Sequence, residues 1–375
     1  MAPPTRRPPP TPDLAGAADP LAAWFEGAAR DLPWRRERSG YHALVSELML
    51  QQTQVSRVLE KFGPFVARFP TVAALAAAPE DEVLAAWQGL GYYRRARLLH
   101  AAAKAVVERH GGVVPGDPEA LLALPGVGRY TAGAIASIAF GARAPIVDGN
   151  VTRVFQRLAA REGSASDPAI AAWAWGEAGR FAAAAHAPGT SNEALMEFGA
   201  TVCTPAAPRC HACPLRGMCG AAAAGKVDAI PAPKKRVARR ELVLVTARVV
   251  RGDGAVLLEQ RPSGPKGGGL WAGLWQPPAV ESADGEAMGE VAAAELLGLG
   301  SGAGGTSSTR AAVGLTRLEG IVPFATTHRA VRFVVFTAAV RGRGDALATN
   351  GRRWVTPEEL PGYALSNAAK RVLEA

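Results

Sequence analysis

The chain reads as a multidomain protein in which an all-α half precedes a smaller α+β half, and three observations predict this. At 375 residues it is longer than one hydrophobic core usually accommodates. From Asp19 to about His110 the apolar residues recur at helical spacing, with Ala, Leu and Arg dominating and no segment alternating as a strand should. A Pro-punctuated basic run, Pro231-Ala-Pro-Lys-Lys-Arg-Val-Ala-Arg-Arg240, then separates that texture from segments that are β-branched or alternating.

In order, residues 1–18 are Pro-rich near the start, carry Arg6 and Arg7, and are expected to be a disordered tail. They hold no apolar h-region of a signal peptide, so a cytoplasmic protein of bacterial type is expected. Helices are predicted over Leu21–Arg30, Tyr41–Phe62, Thr71–Ala77, Asp81–Leu90 and Arg94–His110, with breaks at Pro33, Pro64, Pro70, Pro79 and the Gly89–Gly91 pair. Further helices follow at Pro118–Leu122, Tyr130–Phe140, Val151–Arg161, Asp167–Arg180 and Ser191–Val202, the fourth with Asp167 as N-cap and Pro168 as first residue. The helical domain is bounded at 19–225 and a basic linker at 226–240. In the domain 241–375, Leu242–Val250, Ala255–Gln260 and Val331–Val340 are strands and Gly252-Asp-Gly254 is a hairpin turn. Glu286–Leu297 is a helix, Gly298–Thr309 a loop, and Ser366–Leu373 a closing helix capped by Ser366.

A net charge of +9 and a pI near 9.8 favour a polyanionic partner, although solubility alone accounts for such a charge equally well. No apolar run is long and charge-free enough to cross a bilayer, so no membrane partner is expected. All four cysteines fall between residues 203 and 219, spaced Cys203-x6-Cys210-x2-Cys213-x5-Cys219. Four thiolates so close can surround one centre, either tetrahedral zinc or an iron–sulfur cluster, and spacing alone does not choose. Arg209, His211 and Arg216 turn the same loop towards phosphate.

In Leu124-Pro-Gly-Val-Gly-Arg-Tyr-Thr-Ala, Gly126 and Gly128 stand one residue apart just before a helix. Glycines there permit positive φ and a close backbone approach to a partner. The free N–H groups of such a loop and helix start form a phosphate seat. Past that helix a lone carboxylate, Asp148, lies in the turn Val147-Asp-Gly-Asn150. Taken singly, Asp148 and Asn150 are helix caps; together with the seat they suggest chemistry on a nucleic acid.

Glu47 lies in Ala43-Leu-Val-Ser-Glu-Leu-Met-Leu50, a helix apolar nearly all round and therefore buried. A carboxylate there either has a raised pKa, as a general acid needs, or is held by an arginine such as Arg30 or Arg35. Gln51-Gln52-Thr53-Gln54 is either a polar edge for hydrogen-bonding bases or a solvated helix face. Tyr92, beside Tyr93 and two arginines on a glycine-flanked turn, is either a wedge for a base stack or an aromatic packed between helices.

These segments recur in one order, and from about residue 20 to 225 they resemble the helix–hairpin–helix DNA glycosylases of the endonuclease III superfamily. Leu124–Ala132 is the hairpin, Val147-Asp-Gly-Asn-Val carries the acid, and the cysteine loop resembles that family's cluster loop, implying a 4Fe–4S cluster on Cys203, Cys210, Cys213 and Cys219. Leu32-Pro-Trp-Arg35, Ser46-Glu-Leu-Met-Leu-Gln-Gln-Thr-Gln-Val55 and Gly89-Leu-Gly-Tyr-Tyr93 look like the MutY-type adenine glycosylases. The half after the linker resembles their Nudix-like C-terminal domain.

The resemblance implies a monomer acting on double-stranded DNA that holds adenine opposite 8-oxoguanine or guanine. Glu47 would protonate adenine N7 and Asp148 would stabilise the oxocarbenium-like sugar, a division between two carboxylates known from glycosidases. Tyr130 would sit by the same centre and Asn150 would hold Asp148 or a water. Where lyases of the superfamily carry an amine-bearing Lys, this chain has Tyr130, which implies base removal without strand cleavage. Arg30, Trp34, Arg35, Gln52, Tyr92, Gly126, Gly128 and Glu193 would contact DNA or the adenine. In the second domain Thr327 and His328 would read the lesion, with Thr326 replacing a family Phe. Only Glu295, of the metal-binding helix of a hydrolysing Nudix domain, finds a counterpart. The rival readings are a thymine glycosylase for G·T mispairs, a silent lesion sensor, and a Nudix hydrolase.

Overall fold

In the computed structural model the described residues are 13–233, 238–262, 270–282, 293, 295–297, 313–326, 328–340, 344–348 and 351–375. Their contacts divide into two units, one of residues 1–77 with 98–235 and one of residues 78–97 with 236–375. The segment 78–97, read from sequence as part of the helical domain, thus groups with the second unit.

The first unit is helical. It contains α1 (Ala18–Ala28), α2 (Pro33–Arg36), α3 (Gly40–Leu50), α4 (Val55–Arg68) and α5 (Val72–Ala77). Then come α6 (Glu80–Ala86), which lies in the second unit, and α7 (Arg94–His110), shared between the two. The rest of the first unit is α8 (Pro118–Leu122), α9 (Arg129–Phe140), α10 (Gly149–Leu158), α11 (Pro168–Ala184), α12 (Pro188–Thr201) and the single turn α13 (Gly220–Ala223). Its core is built from Leu21, Phe25, Ile146, Val151, Phe155, Phe181, Leu195 and Phe198, with α1, α9, α10, α11 and α12 contributing one face each.

Three expectations are corrected. Residues 13–18 are not tail: Leu14, Ala17 and Ala18 are buried in that core, so the fold starts before Asp19. The helix expected over Tyr41–Phe62 is two helices: α3 stops at Leu50, Gln51 leaves the helical region with ψ 115°, and Gln52 follows with a left-handed φ of 55°. Pro64 does not break the chain but lies inside α4, which runs on to Arg68. Asp167 caps α11 through the Ala169 amide at 2.8 Å, with Pro168 in its first turn, as the sequence predicts.

The second unit is a mixed sheet of β1 (Arg240–Arg251), β2 (Val256–Gln260), β3 (Trp275–Gln276), β4 (Ala279–Glu281), β5 (Val313–Ala325), β6 (Arg329–Val340) and β7 (Arg352–Val355). β1 and β6 run parallel at its centre, from Arg240 opposite Arg329 to Arg251 opposite Val340. β5 and β6 form an antiparallel hairpin. The closing helix α14 (Asn367–Glu374) is capped by Ser366 Oγ on the Ala369 amide at 2.9 Å, and its Ala368 and Val372 cover Leu242, Leu244, Phe333 and Val335. Most of the predicted helix Glu286–Leu297 and all of the loop Gly298–Thr309 lie outside the described residues. Among the described residues no helix is long and apolar enough to cross a membrane.

Candidate active site

Every residue of α3 from Tyr41 to Met49 is buried, so Glu47 has no route to bulk water along its own helix. It is 6% exposed. Burial pushes its carboxyl up to about 8, the nearby charges of Asp148 and Glu193 push the same way, and a hydrogen bond from Tyr130 opposes them. Among the described residues it has no ion pair. The arginines that the sequence offered it are engaged on α12. Arg30 donates to Glu197 through Nε at 2.5 Å and Nη2 at 3.0 Å, and Arg35 Nη2 reaches the same carboxylate at 2.9 Å. Arg35 Nε lies 3.3 Å and Arg38 Nη2 2.7 Å from Glu193. Burial raises the Glu193 carboxyl even so, with Arg38 and Arg35 opposing. Glu193 and Glu197 sit one turn apart on α12, so one helix face carries both arginine clamps.

Tyr130 sits in the first turn of α9. Its phenol is raised well above the usual range, first by burial and then by the charges of Glu47 and Asp148, so it remains a hydrogen-bond donor to Glu47. Asp148 is the N-cap of α10: Oδ1 accepts the Val151 amide at 2.7 Å and Oδ2 accepts Asn150 Nδ2 at 3.2 Å. Asn150 Oδ1 accepts Arg153 Nη2 at 2.9 Å, and Arg153 also donates to the carbonyls of Gly199 at 2.8 Å and Cys203 at 2.9 Å. Capping and chemistry, alternatives for Asp148 on sequence, are compatible in one geometry. Sequence reasoning missed Arg38, Arg153 and Glu197. The one local signal was the Glu193–Glu197 spacing of a turn.

The two hairpin glycines differ. Gly126 has φ 78°, and a Cβ there would lie 2.6 Å from Leu98 Cβ, so it is glycine for the fold. Gly128 is extended (φ −90°) and nothing lies within 4 Å of its missing Cβ. It is the uncapped start of α9, open for an outside group to approach.

Cys203, Cys210, Cys213 and Cys219 are unpaired thiols that line one pocket of about 340 Å³, counting the space at its mouth, with Val154, Leu158, Phe198 and Val202 as its apolar wall. Among the described residues no three His, Cys, Asp or Glu side chains close on a single ion-sized point. Arg157 is fixed beside them, Nη1 lying 2.6 Å from the Thr204 carbonyl and 3.5 Å from Cys203 Sγ, while Nε donates to the Ile230 carbonyl at 2.8 Å. Burial raises the Cys213 thiol to about 11, so a positive centre is needed to hold that sulfur as thiolate. The donors fit a metal–sulfur group.

Trp34 meets Phe62 edge to face at 5.5 Å. Gln52 is exposed, whereas Gln51 Nε2 turns in to Thr131 Oγ1 at 3.3 Å. The run 51–54 is therefore a loop and not a helix face. Tyr92 and His328 belong to the second unit, and Thr327 lies outside the described residues. Tyr92 is 49% exposed on a left-handed φ of 47°, unlike an aromatic packed between helices. His328 is exposed. Thr326 uses its hydroxyl to close the β5–β6 turn, accepting the Arg329 amide at 3.0 Å. Of 285–300 only Ala293 and residues 295–297 are described, with Glu295 exposed.

Residues 45–176 match the HhH-GPD superfamily base excision DNA repair protein family, and residues 245–375 match the NUDIX domain family. The adenine DNA glycosylase of Homo sapiens is 36% identical over 94% of this chain and 72% of its own length. That of Mycolicibacterium smegmatis is 48% identical over 52% of this chain and 66% of its own. A solved structure of a thermostable thymine-DNA glycosylase is 26% identical, with a TM-score of 0.50 over 56% of this chain and 97% of that one. A helical unit in which Asp148 lies near enough to Glu47 to raise its carboxyl, a second unit built on a mixed sheet, and likeness along nearly the whole length agree: the chain belongs to the adenine DNA glycosylase family, within the HhH-GPD superfamily of base excision repair proteins.

Proposed function

We propose that this chain is a monofunctional glycosylase that removes adenine paired with 8-oxoguanine or guanine, working as a monomer on double-stranded DNA in the cytoplasm. One observation carries the chemistry: Glu47 is a buried carboxyl, without an ion pair among the described residues, raised to about 8, with Asp148 close enough to contribute to that rise. At neutral pH such a group is an acid in its protonated form. With adenine turned out of the stack, Glu47 gives its proton to N7. The C1′–N9 bond then breaks with its electron pair leaving on neutral adenine. Asp148, fixed by the Val151 amide and Asn150, faces the positive charge left on the sugar until water adds at C1′ and gives its proton to the Glu47 carboxylate. Tyr130 donates to Glu47 and has no amine for a Schiff base, which supports release of the base with the strand intact.

Cys203, Cys210, Cys213 and Cys219 would hold a 4Fe–4S cluster, which when bound crosslinks the basic loop. Arg30, Trp34, Arg35 and Glu193 would form the adenine pocket, and Gln52 and Tyr92 would enter the duplex. Their left-handed backbones support this, since strain at exposed non-glycine residues clusters at functional sites. Gly126 and Gly128 would seat a phosphate, and Thr327 and His328 would read the lesion.

The test uses duplexes holding A opposite 8-oxoguanine, A opposite G, and T opposite G, each followed by alkali. Breaks in the adenine strand alone, after alkali alone, are expected. Breaks without alkali would overturn the monofunctional reading, and release of thymine would move the enzyme to the class of its structural neighbour. Iron and sulfide, each measured per chain, are expected near four; zinc in their place would sink the cluster.

A further inference from the structure

Within the second unit, the turn that carries Tyr92 is fastened at three points to segments that follow the linker. Tyr93 Oη donates to the Leu365 carbonyl at 2.8 Å, Arg97 Nη1 to the Ala272 carbonyl at 3.1 Å, and Gln88 Nε2 to the Tyr363 carbonyl at 3.4 Å. Tyr93 is buried, and Arg97 is aimed by Glu80, whose carboxylate accepts its Nε at 2.8 Å. Inside the turn, Arg95 Nη2 donates to the Leu90 and Gly91 carbonyls, each at 3.2 Å, and Trp87 Nε1 donates to Gly91 at 3.1 Å. The Arg95 guanidinium lies between the rings of Trp87 and Tyr92, 5.4 Å and 5.6 Å from their centres. Tyr92 is thus an exposed ring on a left-handed residue whose surroundings are tied together by hydrogen bonds.

The far end of this arrangement holds a left-handed residue as well. Trp271, next to Ala272, holds φ 61° and contacts Phe324 at 5.9 Å and Phe333 at 5.7 Å between ring centres. Phe324 and Phe333 belong to β5 and β6, the two arms of the hairpin that ends at Thr326–His328. From Tyr92 through Arg97, Ala272 and Trp271 to that hairpin, every step is a hydrogen bond, a ring contact or the covalent chain. We infer that Tyr93 and Arg97 are positioning residues: they lock the Tyr92 turn to the 270–274 loop and the hairpin, so that one rigid reader inspects the base opposite the adenine, with Tyr92 as its probe. This rests on the reading of the substrate as a pair between adenine and 8-oxoguanine or guanine.

The test compares the parent protein with Tyr93→Phe, which removes one hydroxyl, and Arg97→Gln. Affinities are measured for duplexes in which a 2′-fluorinated, uncleavable adenine nucleotide faces 8-oxoguanine or guanine. Each variant is expected to lose about tenfold of the preference for 8-oxoguanine, in line with one hydrogen bond removed. Base release at saturating protein is expected to stay within about twofold of the parent, because neither residue belongs to the site of bond cleavage. Preference equal to the parent's in both variants would overturn the inference. Hydrogen exchange on free protein tests the anchoring separately: amides of 88–93 should exchange faster in both variants, and unchanged exchange would refute it whatever the substrate. A parent protein with no preference between the duplexes would instead refute the substrate reading.

Discussion

Glu47 and Glu197 are the same residue type at nearly the same depth, 6% and 1% exposed, yet they sit in opposite electrostatic settings. Burial pushes both carboxyls up. At Glu197 the hydrogen bonds and charges of Arg30 and Arg35 outweigh it and hold the group below its usual range. At Glu47 no cation among the described residues answers, two carboxylates add to the effect, and the group rises to about 8. Depth alone therefore says little about what a buried acid does; the distribution of arginines makes one carboxyl a clamp and the other a proton donor.

The largest test of this contrast is Glu47→Gln. Base release is expected to fall by roughly 10³–10⁴-fold with DNA binding kept, since general acid catalysis accounts for a factor of this order. Near-parent turnover would remove Glu47 from the chemistry. The same variant gives a stability test. Folded Glu47 holds its proton up to about pH 8 and unfolded Glu47 only to about 4.5, so the native state binds more protons in that window and stability falls as pH rises across it. Glu47→Gln should lack this fall and unfold at a higher temperature than the parent above pH 8; equal melting there would mean that the carboxyl is not raised. The parent's single-turnover rate should decline above about pH 8 as the acid is lost.

Glu197→Gln should act in the opposite sense, costing about 1–2 kcal/mol, because half-buried Arg35 keeps only Glu193 as a carboxylate partner and Arg30, 40% exposed, turns to solvent. A variant as stable as the parent in urea titration would show that the clamp is dispensable. Asp148→Asn keeps an N-cap and removes a charge. We expect roughly 100-fold slower release together with a high-pH limb shifted downward, since one of the charges raising Glu47 is gone. A limb that stays in place would separate the two carboxylates. The smallest effect belongs to Tyr130→Phe, about tenfold slower, with the limb moved upward, because its hydrogen bond lowers Glu47. A strand-cleaving Tyr130→Phe would contradict the role given to the phenol.

The fold class and the order of the hairpin, Asp148 and the cysteines were legible because each is local: spacing, a glycine pair, a cap before a helix. The pairing of Arg30 and Arg35 with Glu197 was not, because the partners lie 167 and 162 residues apart and only packing of α1 and the α2 region on α12 brings them together. The end of α3 was hidden as well. Gln51-Gln52-Thr53-Gln54 contains no Gly or Pro, and a left-handed non-glycine residue leaves no mark in propensity. Pro64 misled in the other direction, since α4 absorbs one missing hydrogen bond while Val58, Phe62 and Phe65 keep it buried. Of the second unit, β3, β4 and β7 are two to four residues long, too short for alternation to register, and β5 contains two glycines and a proline.

Gln52 carries one further consequence. A glycine in its place would adopt φ 55° without penalty, whereas glutamine bears a strain on the order of 1–3 kcal/mol. Gln52→Gly should therefore make the protein more heat-resistant while taking away the side chain proposed to enter the duplex. Screening this scaffold for thermostability alone would drift towards well-behaved proteins that no longer repair DNA, and position 52 is where that drift would start.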